Sequence, residues 1–378
     1  MEPLTMSQTP DVHANDGRHI EPLHTFQEIF QQPVLWPTSV VRVRAASEKL
    51  NLSARLDGAR VLVTGAGTSA YAAAAVSAAW PRALAVPTTD LLIDPARYLL
   101  DVDAVISLAR SGDSPESAPV VQRVRALRPD ILQLAITCNE QSALAKSGLD
   151  GLIVLDPRAN DRSLVMTSSF SNLVVAGLSL AQPEAMDVIV SEASQRTNQL
   201  LSRIDRESDR VAARVSDRIV VLSSSPLLGW AREAGLKVLE MTAGRFPVVT
   251  ETFLGLRHGP MSFVKENTLV LCLLSSDPLR RRYEMDLVRE LRAKNIGYLV
   301  AIADPADRED MFDDVIPAIL PHAADELRTP FEIVIPQLLG YHLSLRIGLN
   351  PDNPSPDGVI NRVVQGVNIH PVPEVEEK

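Results

Sequence analysis

Short apolar runs alternate with helically spaced segments along most of the chain. Residues 60–64 read as a strand, followed by Gly65-Ala66-Gly67-Thr68-Ser69 and an alanine-rich helix over 70–79. Residues 104–108 give a second strand, then Ser111-Gly112-Asp113-Ser114-Pro115 and a helix through Ala126. Strands at 131–137 and 151–155 and a helix at 166–180 complete the first half. The cycle then restarts with a strand at 218–223, a helix at 226–243, a strand at 268–274, a helix at 283–294 and a strand at 298–303. Strands that are apolar throughout are buried on both faces, and their alternation with helices builds parallel sheets covered on either side. The pattern predicts an α/β protein made of two similar units. Residues 193–213 are polar and helically spaced with no strand signal, so they read as the connector between the units. The second half shows no clear copy of the serine loop at 111–115.

Residues 24–50 have helical spacing, with Phe26, Ile29 and Phe30 on one face. Pro33 and Pro37 interrupt the pattern, which predicts two helical pieces rather than one. The segment up to Glu21 is polar and carries Pro3, Pro10, Asn15 and Gly17, which reads as a disordered leader. It lacks the basic start and apolar centre of a signal peptide. The apolar runs at 71–80 and 172–181 are too short to span a bilayer and read as buried helices. These features place the chain in the cytoplasm as a soluble protein, with no membrane partner.

Composition narrows the function classes. A length of 378 residues suits two domains, and 46% apolar with 22% charged residues is a globular balance. The net charge of −10, with no block of like charges, argues against a nucleic-acid partner, because binding a polyanion needs clustered Lys and Arg. A small anion needs only local positive potential. Cys138 and Cys272 both lie in apolar, strand-like runs and read as buried free thiols.

Candidate chemistry collects in loops. Ligands of parallel α/β sheets sit beyond the carboxyl ends of the strands, where helix N-termini point outward. Ser111 and Ser114 precede a helix whose first turn is read to contain Pro115 and Glu116, and Thr68 and Ser69 open the preceding helix. Hydroxyls and free backbone N–H groups there can converge on a phosphate. Taken alone, Ser114 also fits an ordinary N-cap with Pro115 at the first helical position. Two hydroxyl-rich loops at successive strand ends favour the phosphate. A dinucleotide fingerprint lacks its third glycine, and no Gly-Lys-Ser/Thr phosphate loop is present. In the second half Glu233, Lys237 and Glu240 share one helical stripe, which fits either a solvated ion-pair face or an acid–base set. His258, within Leu254-Gly255-Leu256-Arg257-His258-Gly259-Pro260, sits where packing offers it little, and this favours the acid–base set. His13, His19 and His24 are assigned to the leader, and no Cys/His spacing resembles a metal site.

Residues 109–117, Ala109-Arg110-Ser111-Gly112-Asp113-Ser114-Pro115-Glu116-Ser117, resemble the phosphate loop of sugar-isomerase (SIS) domain proteins. The Gly67-Thr68-Ser69 turn and the helix from Ala231 to Glu240 fit the same group. Gln31-Gln32-Pro33, Met166-Thr167-Ser168-Ser169-Phe170, residues 253–260 and Asn361-Arg362-Val363-Val364-Gln365-Gly366 narrow it to the AgaS branch. That branch comprises tagatose-6-phosphate ketose/aldose isomerases and galactosamine-6-phosphate deaminases. The likeness runs from about residue 25 to 367. It implies two tandem SIS domains, at 59–195 and 214–367, behind a leader (1–23) and an N-terminal helical arm (24–58). It also implies a homodimer or larger homo-oligomer with a site shared between subunits, and no metal or other cofactor.

By the same resemblance Thr68, Ser69, Ser111 and Ser114 hold the substrate phosphate. Glu240 moves a proton between C1 and C2 of a phosphorylated amino sugar, Lys237 lies beside the sugar, and His258 opens the ring from the neighbouring subunit. Burial would raise the pKa of Glu240 and Lys237 would oppose the rise. Two departures stand out. Ala109 replaces the serine usual at that place, and no lysine near 354–362 supplies the Schiff base of the related glucosamine-6-phosphate synthase. The expected reaction is isomerising deamination of galactosamine 6-phosphate. Plain aldose–ketose isomerisation, glucosamine-6-phosphate deamination, fructosamine-phosphate deglycation and non-catalytic phosphosugar sensing are the rival readings. With no cysteine near Met1, glutamine-dependent synthesis is not expected.

Overall fold

The computed structural model describes residues 23–307 and 310–371, so the leader assigned to 1–23 lies outside the described residues save for Leu23. Helix α1 (His24–Leu50) and the short α2 (Leu52–Leu56) lead into a first sheet. Its strands are β1 (Val61–Gly65), β2 (Ala83–Pro87), β3 (Ala104–Ala109), β4 (Leu132–Thr137) and β5 (Gly151–Val154). Helices α3 (Thr68–Ala78), α4 (Thr88–Ile93), α5 (Pro95–Leu99), α6 (Ser117–Leu127) and α7 (Ser168–Ala181) pack around it. The 30-residue α8 (Pro183–Ala212) carries the chain across to the second sheet. There the strands are β6 (Ile219–Ser223), β7 (Val248–Thr252), β8 (Leu269–Leu273), β9 (Tyr298–Ala303) and β10 (Asp314–Pro317). The accompanying helices are α9 (Leu228–Met241), α10 (Phe253–Leu256), α11 (Pro278–Ala293), α12 (Asp325–Glu332) and α13 (Val334–Arg346).

Both sheets are parallel throughout and share one topology. The first runs β2-β1-β3-β4-β5 and the second β7-β6-β8-β9-β10. Strands β1, β4, β6, β8 and β9 are buried at every position, which is why they read as unbroken apolar runs.

Helix α1 corrects one expectation: it continues through Pro33 and Pro37 without a break. A proline inside a helix costs about 3 kcal/mol, because it removes a donor and crowds the preceding turn. Here the side-chain Nε2 of Gln32 donates to the Ile29 carbonyl at 3.1 Å, the acceptor that Pro33 leaves open. Ile29, Leu35 and Trp36 are fully buried, and the Trp36 indole N–H donates to Ser171 Oγ at 2.9 Å. Tertiary packing overrides the local preference. His24 also leaves the leader, as it opens α1 with its N–H on Asp352.

The two halves meet along α3 and α9. Gly229 makes this possible: a Cβ there would lie 3.0 Å from the Ala75 nitrogen and 3.2 Å from the Tyr71 carbonyl oxygen. The close approach brings the α9 side chains of the second half to the strand ends of the first.

Candidate active site

A cavity of about 170 Å³ opens beyond the carboxyl ends of β1 and β3. Its walls include Thr68, Ser69, Ser111, Ser114, Arg110 and Glu240. Backbone form is set by glycine at two places. Gly67 has φ +56°, and Gly112 has φ +66° with a Cβ position only 2.5 Å from Ser142 Oγ. The Asp113 carboxylate accepts from Ala143 N at 2.9 Å and Asn139 Nδ2 at 3.2 Å, which braces the loop without entering the cavity. Helix α6 starts at Ser117 with Glu116 in the cap position, so Ser114 and Pro115 belong to a turn ahead of it rather than to its first turn. Among the described residues, the Ser69 and Ser114 hydroxyls take part in no hydrogen bond within the chain. Ser111 Oγ accepts weakly from Asp113 N at 3.3 Å.

The stripe on α9 is no solvated face. Glu233 and Lys237 are completely buried, and the Lys237 ammonium spends its three protons on three oxygens. These are Glu240 Oε2 at 2.7 Å, Thr68 Oγ1 at 3.1 Å and Glu233 Oε1 at 3.2 Å. Burial works against the Lys237 charge, but the two carboxylates outweigh it and its pKa stays above the ordinary lysine value. Glu233 is the carboxyl that burial lifts, to about 8, against the pull of Lys237. Glu240 reaches past Lys237 to the cavity wall and keeps 24% of its side chain accessible. The arrangement places the Glu240 carboxylate at the cavity, steadied by a buried cation whose second carboxyl can hold a proton.

His258 is exposed on the loop after α10 and does not line the cavity of its own chain. Lys237 touches the site through Glu240 and Thr68 rather than by lining the cavity. Ala109, at the end of β3, does line it.

Three relatives match nearly the whole chain. An AgaS relative from Streptomyces coelicolor is 38% identical over 371 residues, covering 92% of this chain and 95% of its own. The D-galactosamine-6-phosphate deaminase AgaS of Escherichia coli is 36% identical, again covering 92% and 95%. The crystal structure of tagatose-6-phosphate ketose/aldose isomerase from Escherichia coli superposes with a TM-score of 0.82 at 32% identity, over 92% of this chain and 97% of that one. The chain belongs to the AgaS family. No family model matches it.

The two sheets are tandem SIS domains of this AgaS-family chain. Residues beyond those singled out from sequence also line the cavity. Arg110, Glu116, Asn361 and Arg362 are the chemically significant ones. All four stood inside quoted motifs, yet no role had been attached to them. The signal available was their charge and amide chemistry within those motifs. Cys138 and Cys272 are buried free thiols, with burial holding both far above the ordinary thiol range. Among the described residues no helix is long and apolar enough to cross a membrane, and no cluster of His, Cys, Asp or Glu is arranged to hold a metal ion.

Proposed function

We propose that the chain is an isomerising deaminase of an amino-sugar 6-phosphate, with galactosamine 6-phosphate as substrate and tagatose 6-phosphate and ammonia as products. One observation carries the reading. Glu240, steadied by Lys237, opens into the same cavity as the Ser69 and Ser114 hydroxyls, which have no partner among the described residues. Ser69, Ser111 and Ser114 bind the phosphate at the strand ends, and Thr68 links that end to Lys237. With the sugar in its open aldehyde form, Glu240 takes the proton from C2 and delivers it to C1. The carbon–nitrogen bond at C2 becomes an imine, and water adds to it, expelling ammonia and leaving the ketone. Without the amino group the same proton transfer is aldose–ketose isomerisation, so the nitrogen leaving C2 is what separates the two readings.

His258 serves ring opening in a second copy of the chain. Its exposure, on a loop where Gly259 has φ +121°, suits a group presented outward. The protein is then a homo-oligomer working in the cytoplasm. Release of ammonia from galactosamine 6-phosphate, with tagatose 6-phosphate formed in equal amount, tests the reaction. No ammonia from any amino-sugar phosphate, with sugar phosphate still bound, would leave a binding protein. For the shared site, inactive His258→Ala and inactive Glu240→Gln subunits are exchanged. Mass-verified mixed oligomers should regain activity, because some sites then lack both defects. Silence from verified mixed oligomers rules the sharing out.

A further inference from the structure

Serine hydroxyls and backbone N–H groups offer donors to a phosphate but no full charge. The cavity does hold a buried charge. Arg110, 6% exposed, lies between Ala109 and Ser111 on the cavity wall. Its guanidinium donates to the Leu164 carbonyl at 3.1 Å, to the Ser163 carbonyl at 3.4 Å and to the Arg362 carbonyl. Among the described residues these neutral main-chain oxygens are its only acceptors.

The nearby Asp161 carboxylate is already committed. It accepts from the N–H groups of Thr167, Ser168 and Ser169 at 2.9–3.0 Å and from the Thr167 and Ser169 hydroxyls, which fixes the start of α7. An arginine stays protonated even where burial disfavours its charge, so the site keeps a cation with no carboxylate in contact. A buried cation beside a cavity is stabilised by an anion within it.

The third carbonyl gives Arg110 a second connection. Arg362 belongs to an irregular strap, 347–371, which returns over the first domain after α13. Asn361 and Arg362 of the strap line the cavity. The Arg362 side chain is itself tied down, to the Asp161 carbonyl at 3.0 Å and to Asn160 Oδ1 at 2.8 Å. The strap thus crosses the cavity between two arginine anchors, one on its main chain and one on its side chain.

We propose that Arg110 is both the cation of the phosphate site and the latch that holds the C-terminal strap over it. The proposal rests on the reading of this cavity as a phosphate site. Arg110 then ties anion binding to closure: the fork that faces the phosphate also fixes the segment bearing Asn361.

The test uses the full chain, inorganic phosphate as the probe, calorimetry for its affinity and hydrogen exchange for residues 356–371. Neither readout depends on turnover. Arg110→Gln should weaken phosphate about tenfold or more, as expected for loss of a charged hydrogen-bonding partner, and should speed exchange in the strap. Arg110→Lys keeps the charge but loses the planar fork. It should weaken phosphate by about threefold to tenfold and still loosen the strap, since one ammonium cannot span three carbonyls. Arg362→Ala should loosen the strap through loss of its side-chain anchor, and should weaken phosphate less than Arg110→Gln does. A folded Arg110→Gln protein with the parent's affinity overturns the phosphate role. Should that variant fail to fold, Arg110→Lys decides: parent values on either readout overturn the proposal. A parent chain that binds no phosphate would instead remove the phosphate reading of the cavity itself.

Discussion

The strand-end loops after β3 and after β8 occupy the same place in two sheets of the same topology, and they meet opposite fates. After β3 the loop leaves the Ser114 hydroxyl without a partner among the described residues and faces a cavity. After β8 the loop is Ser275-Ser276-Asp277-Pro278, and its donors are filled from within. Asp325, at the start of α12, accepts from Ser276 N at 2.9 Å, Ser276 Oγ at 3.1 Å, the Ser275 hydroxyl, Arg280 and Arg328. Glu284 takes Ser275 N at 2.9 Å and Ser224 Oγ at 2.6 Å. The second loop therefore holds a carboxylate of its own where the first leaves room for a ligand's anion. Under the proposed function, the fold offers this position to an anion twice, and side chains decide whether it is open. Under the same reading the second half serves catalysis differently, by lending α9 to the first half's cavity.

The largest effect should come from cutting that loan. Glu240→Gln keeps shape and volume but cannot accept a proton, so kcat should fall by about 10²–10⁴. Exchange of the substrate C2 proton with deuterated solvent should fall in parallel. Unimpaired turnover would make α9 a structural stripe and the second half a mere buttress.

Next in size is the closed loop. Asp325→Ala leaves Arg328 buried without its nearest charge partner, and breaking a buried pair in this way costs about 3–5 kcal/mol. Thermal unfolding should register the loss, and added phosphate should restore part of it by entering the vacated place. Unchanged stability would mean that the carboxylate is not what fills the second loop.

The buried partner of Lys237 gives a pH signature. Glu233 titrates near 4.5 when unfolded and about 8 when folded, so below about 4.5 both states hold the proton and the stabilisation is complete. Between these values only the folded state keeps it, so this contribution declines as pH rises and is gone above about 8. Glu28, raised to about 7 by burial and by Asp161, adds a slope of the same sign. Unfolding free energy of the parent should therefore fall from pH 5 to pH 8, and Glu233→Gln should flatten the curve without abolishing the Glu28 part. A Glu233→Gln profile parallel to the parent's would show that the triad stores no proton.

How legible this was depends on burial. Central strands such as β1, β8 and β9, with water on neither face, left unmistakable apolar runs. The strands missed from sequence were β2, β7 and β10, all at sheet edges. Strand β7 is only half-buried along its length and β2 has one buried position, so composition could not mark those two, whereas β10 is mostly buried but only four residues long. The serine loops were legible because their glycines and hydroxyls answer to local geometry. The burial of Glu233 and Lys237 was not, because it depends on α9 meeting α3 through Gly229, a contact between residues far apart in the chain. The closing of the second loop by Asp325 was equally hidden, since that residue follows Ser276 by almost fifty positions.

Opening the comparison further from the first loop's side calls for smaller changes. Ser111→Ala removes one phosphate donor whose hydroxyl, among the described residues, contacts only the Asp113 N–H and no charged group. KM for the sugar phosphate should rise by about tenfold, while stability stays within about 0.5 kcal/mol of the parent. A stability loss comparable to that of Asp325→Ala would erase the distinction between an open loop and a closed one.

The smallest expected change is the most diagnostic of how the open loop is tuned. Ala109 ends β3, pairs with Thr137 across the sheet and lines the cavity with its methyl group. Ala109→Ser adds one hydroxyl at that wall, next to Arg110 and one residue before Ser111. The added oxygen can donate to a bound phosphate, a charge-assisted contact worth about 1.5–3 kcal/mol when well aligned and little when it must first give up water. The cavity already holds Arg110 and five serines, so the gain should fall at the low end, with KM equal or up to about tenfold lower and kcat unchanged. Stability should not move, because the hydroxyl faces the cavity rather than the sheet. A large rise in KM would mean that the methyl group packs against the bound sugar, and that this loop carries its phosphate farther from β3 than the serine arrangement implies. Comparing Ser111→Ala with the double variant Ala109→Ser/Ser111→Ala separates the cases. Rescue by the new hydroxyl places both positions on one phosphate, and additive damage places the methyl against the sugar.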